Sequence, residues 1–358
     1  MRPQLLNPGE LAFLFQKQFR LCNVKQGETL IVLSDLGTRR EYIESAFAAA
    51  KSLGANIYSM LVSEQPSWTR VGVETVGACA GSVEALKAAD MLIAMHVPLF
   101  TKWMKEVRAA GTRVLMVVDH PDNLRAQMST QAVKQVTLYS RDRIAAAKSM
   151  RVTNAAGTDL RVRTGEYPSL CQYGFADEPG HFDHWGAGHC YTFPNEGSAN
   201  GTVVIQPGDI IVLPYNRYVV DPIRIEVRDG FIRKIEGGLD ARLMNHWLES
   251  NRRSGDDTDG HAISHLGWGT NPYARWDCIA IDGDDPEHSN GGARGFAGNF
   301  LFSTGPNSQG GGSRHTTGHY DVPMKDCTVY LDDEMVLDAG RFVDPQMAAP
   351  IESRETHA

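Results

Sequence analysis

Between Pro8 and Arg20 the apolar residues Leu11, Leu14, Phe15 and Phe19 recur at helical spacing behind an Asn7-Pro8 start, which predicts an amphipathic helix. Short apolar runs and helical patterns then alternate. Strands are predicted at Thr29 to Leu33, Ile57 to Val62, Met91 to Met95 and Arg113 to Val118, with helices around Arg39 to Leu53, Ser82 to Ala89 and Pro98 to Ala110. That rhythm predicts an open parallel sheet with flanking helices, an α/β unit of Rossmann-like type over residues 1–150. A helix from about Gln131 to Met150 ends it.

From Arg151 the pattern changes. Short β-like runs at Leu160 to Thr164, Gly201 to Gln206, Asp209 to Leu213 and Ile223 to Val227 precede an Asp229-Gly230 turn and a further run at Phe231 to Ile235. One helix, about Leu239 to Ser250, interrupts them. Residues 151–358 are therefore expected to form a second, mixed β-rich α+β domain, with Gly-rich loops at Gly283 to Gly298 and Thr304 to Gly318. The last fifteen or so residues are polar and read as a tail or an arm onto a neighbouring subunit.

Composition narrows the partners. A chain of 358 residues, 42% hydrophobic and 22% charged, can bury a sizeable core in two domains. Its net charge of -8 and the lack of a basic stripe argue against nucleic acid or an anionic membrane and for a small ligand. The six cysteines form no C-x-x-C pair and read as reduced, and no apolar run approaches membrane-spanning length, so a cytoplasmic protein is expected. Ser34-Asp-Leu-Gly-Thr38 follows the first strand where a nicotinamide-binding fold would carry G-x-G-x-x-G, which disfavours that cofactor.

Nine of the twelve histidines lie between His181 and His319. Among them His319 and Asp321 are two apart, so on a strand both point the same way, and His265 can close a set of two imidazoles and one carboxylate. Such a set holds a divalent metal on one face and leaves the other open. His96 follows the strand Met91 to Met95, at the end of a parallel sheet where ligands usually sit. His181 and His184 have a poor ligand spacing, and His184 suits acid/base duty better. Glu196, in the turn Phe193-Pro-Asn-Glu-Gly197, reads either as a metal ligand or as an exposed turn acid. Ser303, at the end of the strand-like Asn299 to Gly305, can bond a ligand or its own backbone.

The strings Phe193-Pro-Asn-Glu-Gly197, His265-Leu-Gly-Trp-Gly-Thr-Asn-Pro272 and His319-Tyr-Asp321 resemble metal-binding segments of thermophilic-type metallo-aminopeptidases. Those enzymes hold two metals and carry a glutamate at the position of His265 and a histidine within the segment here written Leu301 to Gly305, so the departures imply a mononuclear site. The altered pattern is similar to the 2,5-dihydroxypyridine 5,6-dioxygenase family, ring-cleaving enzymes of nicotinate breakdown. The resemblance rests on Tyr173-Gly-Phe-Ala-Asp-Glu-Pro-Gly180 with Asp183-His-Trp185, Ile263 to Gly269, Gly298 to Asn307, and His319-x-Asp321 with Tyr330-Leu-Asp-Asp333.

This likeness implies Fe(II) on His265, His319 and Asp321, acid/base or orienting roles for His96 and His184, and contact between Ser303 and the substrate ring. It also implies an aromatic N-heterocyclic substrate with dioxygen as co-substrate; a homo-oligomer is expected because His96 stands in the other domain and can reach a neighbouring chain's site as easily as its own. Gln172 departs from the acidic residue expected ahead of the Tyr173 string, which bears on the substrate or the proton relay. His189 replaces an expected apolar residue and carries no assignment. The rivals are a two-metal aminopeptidase and a catalytically silent binding protein.

Overall fold

The computed structural model describes residues 6–63, 71–282 and 291–350. Its first helix, Pro8–Leu21, is held at its start by a capping box: Asn7 Oδ1 accepts from the Glu10 amide and the Glu10 carboxylate accepts from the Asn7 amide, each at 3.0 Å. Leu11, Leu14, Phe15 and Phe19 are buried, and the helix packs on Arg40–Ser52. The predicted periodicity is the observed one.

Strands Asn56–Leu61, Thr29–Ser34, Met91–Ala94 and Arg113–Met116 stand side by side in a parallel sheet, in that order. The two central four-residue strands are buried at every position, as a sheet covered on both faces requires. One apolar cluster covers each face. The predicted α/β architecture is therefore present. A fifth parallel strand, Phe182–His184, comes from beyond residue 150 and pairs with Arg113–Met116 through Val114 to Phe182 and Met116 to His184. The parallel sheet thus draws on both sides of the division expected at residue 150.

Two antiparallel sheets make up most of the rest. The eight-stranded one runs in the spatial order 231–237, 223–228, 200–205, 159–163, 149–153, 328–331, 334–338 and 341–342. The five-stranded one runs 320–324, 300–304, 263–269, 189–192 and 170–172. The helix Leu239–Ser250 falls where its periodicity places it. Of the Gly-rich stretch 283–298, residues 283–290 lie outside the described residues, as does the tail from 351; Gly291–Gly295 is a 3₁₀ turn.

Alternation along the five-stranded sheet positions the site. Leu266, Trp268, Phe300, Phe302, Tyr320 and Val322 join the core shared with the eight-stranded sheet. Successive strand residues point to opposite faces, so His265, Ser303, Asp321, His189 and Tyr191 share the other face. That face is also buried. Its polar side chains must find partners among themselves or in a ligand.

Asp183 fixes the junction between the sheets. This fully buried carboxylate accepts the amides of Tyr173, Gly174 and His184 at 2.7–2.8 Å and meets His181 Nε2 at 2.9 Å. Asp183→Ala leaves three buried amides without an acceptor and is expected to cost about 3 kcal/mol or more in denaturant unfolding. An unchanged unfolding midpoint would show that Asp183 is not the tie between these segments.

Candidate metal centre and active site

His265 stands inside the central strand Ile263–Gly269, and Asp321 lies two strands away in Tyr320–Met324, in register with Ser303. His265 Nε2 is 3.4 Å from Asp321 Oδ1, and the His265 and His319 rings have centroids 5.6 Å apart. His319 differs from expectation in one respect. It sits just before its strand, which begins at Tyr320, so its ring is aimed by a hydrogen bond and not by strand alternation. Its Nδ1 donates to the Thr304 carbonyl at 2.6 Å, which leaves Nε2 as the ring's lone-pair nitrogen.

His319 Nε2 and Asp321 Oδ1 are buried without a hydrogen-bond partner in normal geometry, and His265 turns Nε2 toward that same Asp321 oxygen at 3.4 Å. Buried polar atoms of this kind call for a ligand, and an imidazole whose second nitrogen is tied to a backbone carbonyl is the usual form of a metal-ligating histidine. As donors the three residues fit a divalent ion. As they stand, among the described residues no three His, Cys, Asp or Glu side chains are already gathered into a metal-holding group.

The charges around Asp321 favour its carboxylate form. Burial pushes its pKa up, but His265, Arg294 and His319 outweigh this and hold it well below the ordinary carboxylate range. Burial lowers His319 to about 4, so it is neutral near pH 7 and free to act as a ligand.

The second flank lies at the carboxyl ends of the parallel strands, where open α/β sheets bind ligands. His184 ends the strand Phe182–His184 and Asp119 follows Arg113–Met116; His184 Nε2 is 3.4 Å from Asp119 Oδ1, with both side chains fully buried. Neither His184 ring nitrogen has a hydrogen-bond partner. His96 follows the strand Met91–Ala94; it is buried, its Nδ1 is unpartnered, and burial lowers its pKa to about 4 against the opposing pull of Asp35. Among the described residues no contact joins His96 directly to the trio. The His96 ring stands 6.5 Å from that of Trp103, and the His319 ring meets that of Phe100 at 5.2 Å.

Three further residues belong to this site. Arg294, buried in the turn Gly291–Gly295, donates from Nη1 to Asp321 Oδ2 at 3.0 Å, while Gly292 of the same turn donates its amide to Asp119 Oδ2 at 3.0 Å. One turn thereby grips both carboxylates. His189 is buried with Nδ1 unpartnered, and burial together with the nearby charges of Arg294, His265 and His184 holds it well below the usual histidine range, despite Asp321. It bridges the two flanks. Tyr191 packs on His265 at 4.9 Å between centroids. For His189 the signal was its place in the histidine-rich stretch; Arg294, in the Gly-rich run Gly291-Gly-Ala-Arg-Gly295, gave none.

Other candidates have different duties. His181 is bound to Asp183 and stacked on Tyr173 at 4.7 Å, so it is held as a structural group. Glu196 is half exposed and taken up by Arg314 Nη1 at 2.6 and 2.5 Å, which resolves the choice between ligand and turn acid in favour of an ion-paired turn. Ser303 Oγ donates to the His265 carbonyl at 2.8 Å. Gln172 is buried on the edge strand opposite His189.

Comparison with known proteins agrees with this architecture. Residues 10–344 match the family model NicX, described as 2,5-dihydroxypyridine 5,6-dioxygenase. The chain is similar to 2,5-dihydroxypyridine 5,6-dioxygenase of Pseudomonas putida, at 34% identity over 346 residues, covering 94% of this chain and 97% of that protein. A solved structure of 2,5-dihydroxypyridine dioxygenase from Pseudomonas putida KT2440 superposes with a TM-score of 0.90 at 33% identity, covering 96% of this chain and all of the other. Wild-type AmpT from Thermus thermophilus matches with a TM-score of 0.59 at 13% identity, over 93% of this chain and 99% of its own, a likeness of fold alone. A dioxygenase family points to a metal cofactor and to an aromatic substrate with dioxygen. No helix among the described residues is long and apolar enough to cross a membrane. The chain belongs to the 2,5-dihydroxypyridine 5,6-dioxygenase family.

Proposed function

We propose that this chain is an Fe(II)-dependent, extradiol-like dioxygenase that opens 2,5-dihydroxypyridine to N-formylmaleamate, a step of nicotinate degradation. The observation that carries the reading is the buried, unpartnered His319 Nε2 and Asp321 Oδ1 with His265 Nε2 3.4 Å from that oxygen, on the face tied by the turn of Arg294 and Gly292 to the carboxyl ends of the parallel strands. Two imidazoles and one carboxylate suit Fe(II), which His265, His319 and Asp321 would hold and which would supply the activation of the ring hydroxyl and dioxygen. Both oxygen atoms stay in the product. The bond between the hydroxyl-bearing carbon and the carbon beside the ring nitrogen breaks; the first carbon becomes a carboxylate and the second a formyl group.

The chain's own groups handle binding and protons. His184 turns Nε2 toward the Asp119 carboxylate, so its Nδ1 takes the ring-hydroxyl proton while Asp119 steadies the resulting imidazolium. His96, neutral near pH 7, offers its unpartnered Nδ1 for a further transfer. Ser303 spends its own proton on the His265 carbonyl, which leaves its lone pairs to accept from the ring. The buried walls of the site keep water from the reacting carbons. We place the enzyme in the cytoplasm as a homo-oligomer without nucleic-acid or membrane partners, in keeping with its net charge of -8.

Anaerobic purification followed by metal analysis and an oxygen-electrode assay tests this reading. One iron per chain and one dioxygen consumed per 2,5-dihydroxypyridine are expected; two metals with hydrolysis of aminoacyl anilides would return the chain to the peptidases. His265→Ala, His319→Ala or Asp321→Ala should abolish iron retention. His184→Ala should keep the iron and lower kcat by about 10²–10⁴-fold, the usual worth of a general base. Full turnover there would remove His184 from the proton path.

His96 also carries a stability signature. Its folded pKa of about 4 lies below the ordinary histidine value, so as pH falls below that value the unfolded chain takes up a proton that the folded chain refuses. Stability is therefore lost as pH falls toward 4. His96→Asn should flatten this acid decline in urea unfolding; identical slopes in the two proteins would show that His96 is not held neutral.

A further inference from the structure

Arg314 lies at the meeting point of three segments that frame the metal trio. Its side chain is nearly buried, and its guanidinium is surrounded by oxygen: Nη1 reaches both carboxylate oxygens of Glu196 at 2.6 and 2.5 Å, Nη2 donates to the Ile263 carbonyl at 3.2 Å, and Nε donates to the Gly305 carbonyl at 3.2 Å. Glu196 is further fixed by the Tyr167 hydroxyl and the Asn307 side-chain amide, each donating to Oε1 at 2.8 Å. Asn307 Oδ1 in turn accepts the Arg314 amide at 2.9 Å. The arrangement is a preorganised, oxygen-lined cation site filled by a side chain of the protein itself.

The two carbonyls it grips are not remote from the chemistry. Ile263 stands two residues before His265 on the same strand. Gly305 follows Thr304, whose carbonyl orients His319 through Nδ1. Gly305 also adopts a φ of +98°, and a Cβ there would come within 2.4 Å of the Gly318 carbonyl, next to His319. The backbone approach there is too close for any other residue, and the Gly305 amide also donates to the Ala262 carbonyl at 2.8 Å, so the segments before His265 and before His319 meet at Gly305. A guanidinium shared by the Ile263 and Gly305 carbonyls and neutralised by Glu196 adds a side-chain tie across this junction, because charge-assisted bonds in a buried setting are the strong ones.

We propose that Arg314 is a positioning residue that acts as a built-in cation, holding the Ile263 and Gly305 backbones so that His265 and His319 present their nitrogens to one metal ion. This rests on the assignment of His265, His319 and Asp321 as the metal ligands. Removing the guanidinium leaves a carboxylate and two carbonyls facing an empty cation cavity. Free guanidinium ion has the shape and charge to refill it.

The experiment uses the full chain stripped of metal by chelation, with Fe(II) or Co(II) titrated back anaerobically. Arg314→Ala should bind the ion at least 10-fold more weakly than the wild type, the range seen when outer-sphere partners of metal ligands are removed. Low-millimolar guanidinium chloride should restore that affinity in Arg314→Ala, while sodium chloride at equal ionic strength should not, and the wild type should not respond. A second arm needs no metal: guanidinium should raise the melting temperature of metal-free Arg314→Ala relative to sodium chloride. Should Arg314→Ala fail to fold, Arg314→Lys carries the test, since one ammonium cannot span all three partners and should weaken metal binding without a response to guanidinium. Wild-type metal affinity in a folded Arg314 variant, or no response of Arg314→Ala to guanidinium in either arm, overturns the proposal. Failure of the wild type itself to bind a single ion would instead sink the ligand assignment, and the metal-free arm would still decide the role of Arg314.

Discussion

The structure depends on a sheet that is buried on both faces while only one of them is apolar. In the strands Ile263–Gly269, Phe300–Thr304 and Tyr320–Met324 every residue is buried, yet alternate positions carry His265, Ser303 and Asp321. Leu266, Trp268, Phe302 and Val322 on the opposite face join the main core and supply the hydrophobic stabilisation that holds the strands in place. A one-residue slip would exchange the two sets and put an imidazole and a carboxylate into hydrocarbon. Register and chemistry are thus fixed by the same alternation.

Burying that polar face creates an electrostatic problem with a visible solution. Asp321 cannot lose its charge cheaply, because Arg294, His265 and His319 all favour the ionised form over the effect of burial. Arg294 is itself buried and is matched by the same carboxylate. Its turn also serves Asp119 through Gly292, so Asp321, within the proposed metal-binding trio, and Asp119, beside His184, are set by one short segment. This coupling explains how residues just over two hundred positions apart can share one geometry.

Much of the fold was legible because helices and longer strands announce themselves by period. The capped helix Pro8–Leu21, the β/α rhythm of the parallel sheet and the helix Leu239–Ser250 all follow from apolar spacing. Phe182–His184 was not legible, since three residues carry no period and this strand's membership of the parallel sheet is a tertiary fact. The run Asp209 to Leu213 shows the converse. Only Ile210–Ile211 form a regular strand, while Leu213 makes an isolated bridge to Asp321, so its apolar character reflects burial and not sheet length. In the site, the residue types and a family likeness singled out His265, His319 and Asp321, which the fold brings close together. Arg294 and Arg314 were not, because an arginine among glycines looks like a solvated loop residue until the chain brings carboxylates and carbonyls around it.

The division of labour proposed for the histidines matches where the two architectures meet. His265 and His319 belong to the antiparallel sheet and its entry, where backbone carbonyls and neighbouring strands hold the rings in fixed orientations, as metal ligands require. His96 and His184 belong to the ends of parallel strands, where the chain leaves the sheet and a ring can keep unpartnered nitrogens facing a ligand. His189, on the antiparallel sheet yet within the field of His184, lies between the two groups. Neither architecture alone would provide both the proposed ion-binding set and the proposed proton carriers beside it. Bringing the short strand Phe182–His184 into the parallel sheet places one group beside the other, and the Asp183 hydrogen bonds keep it there.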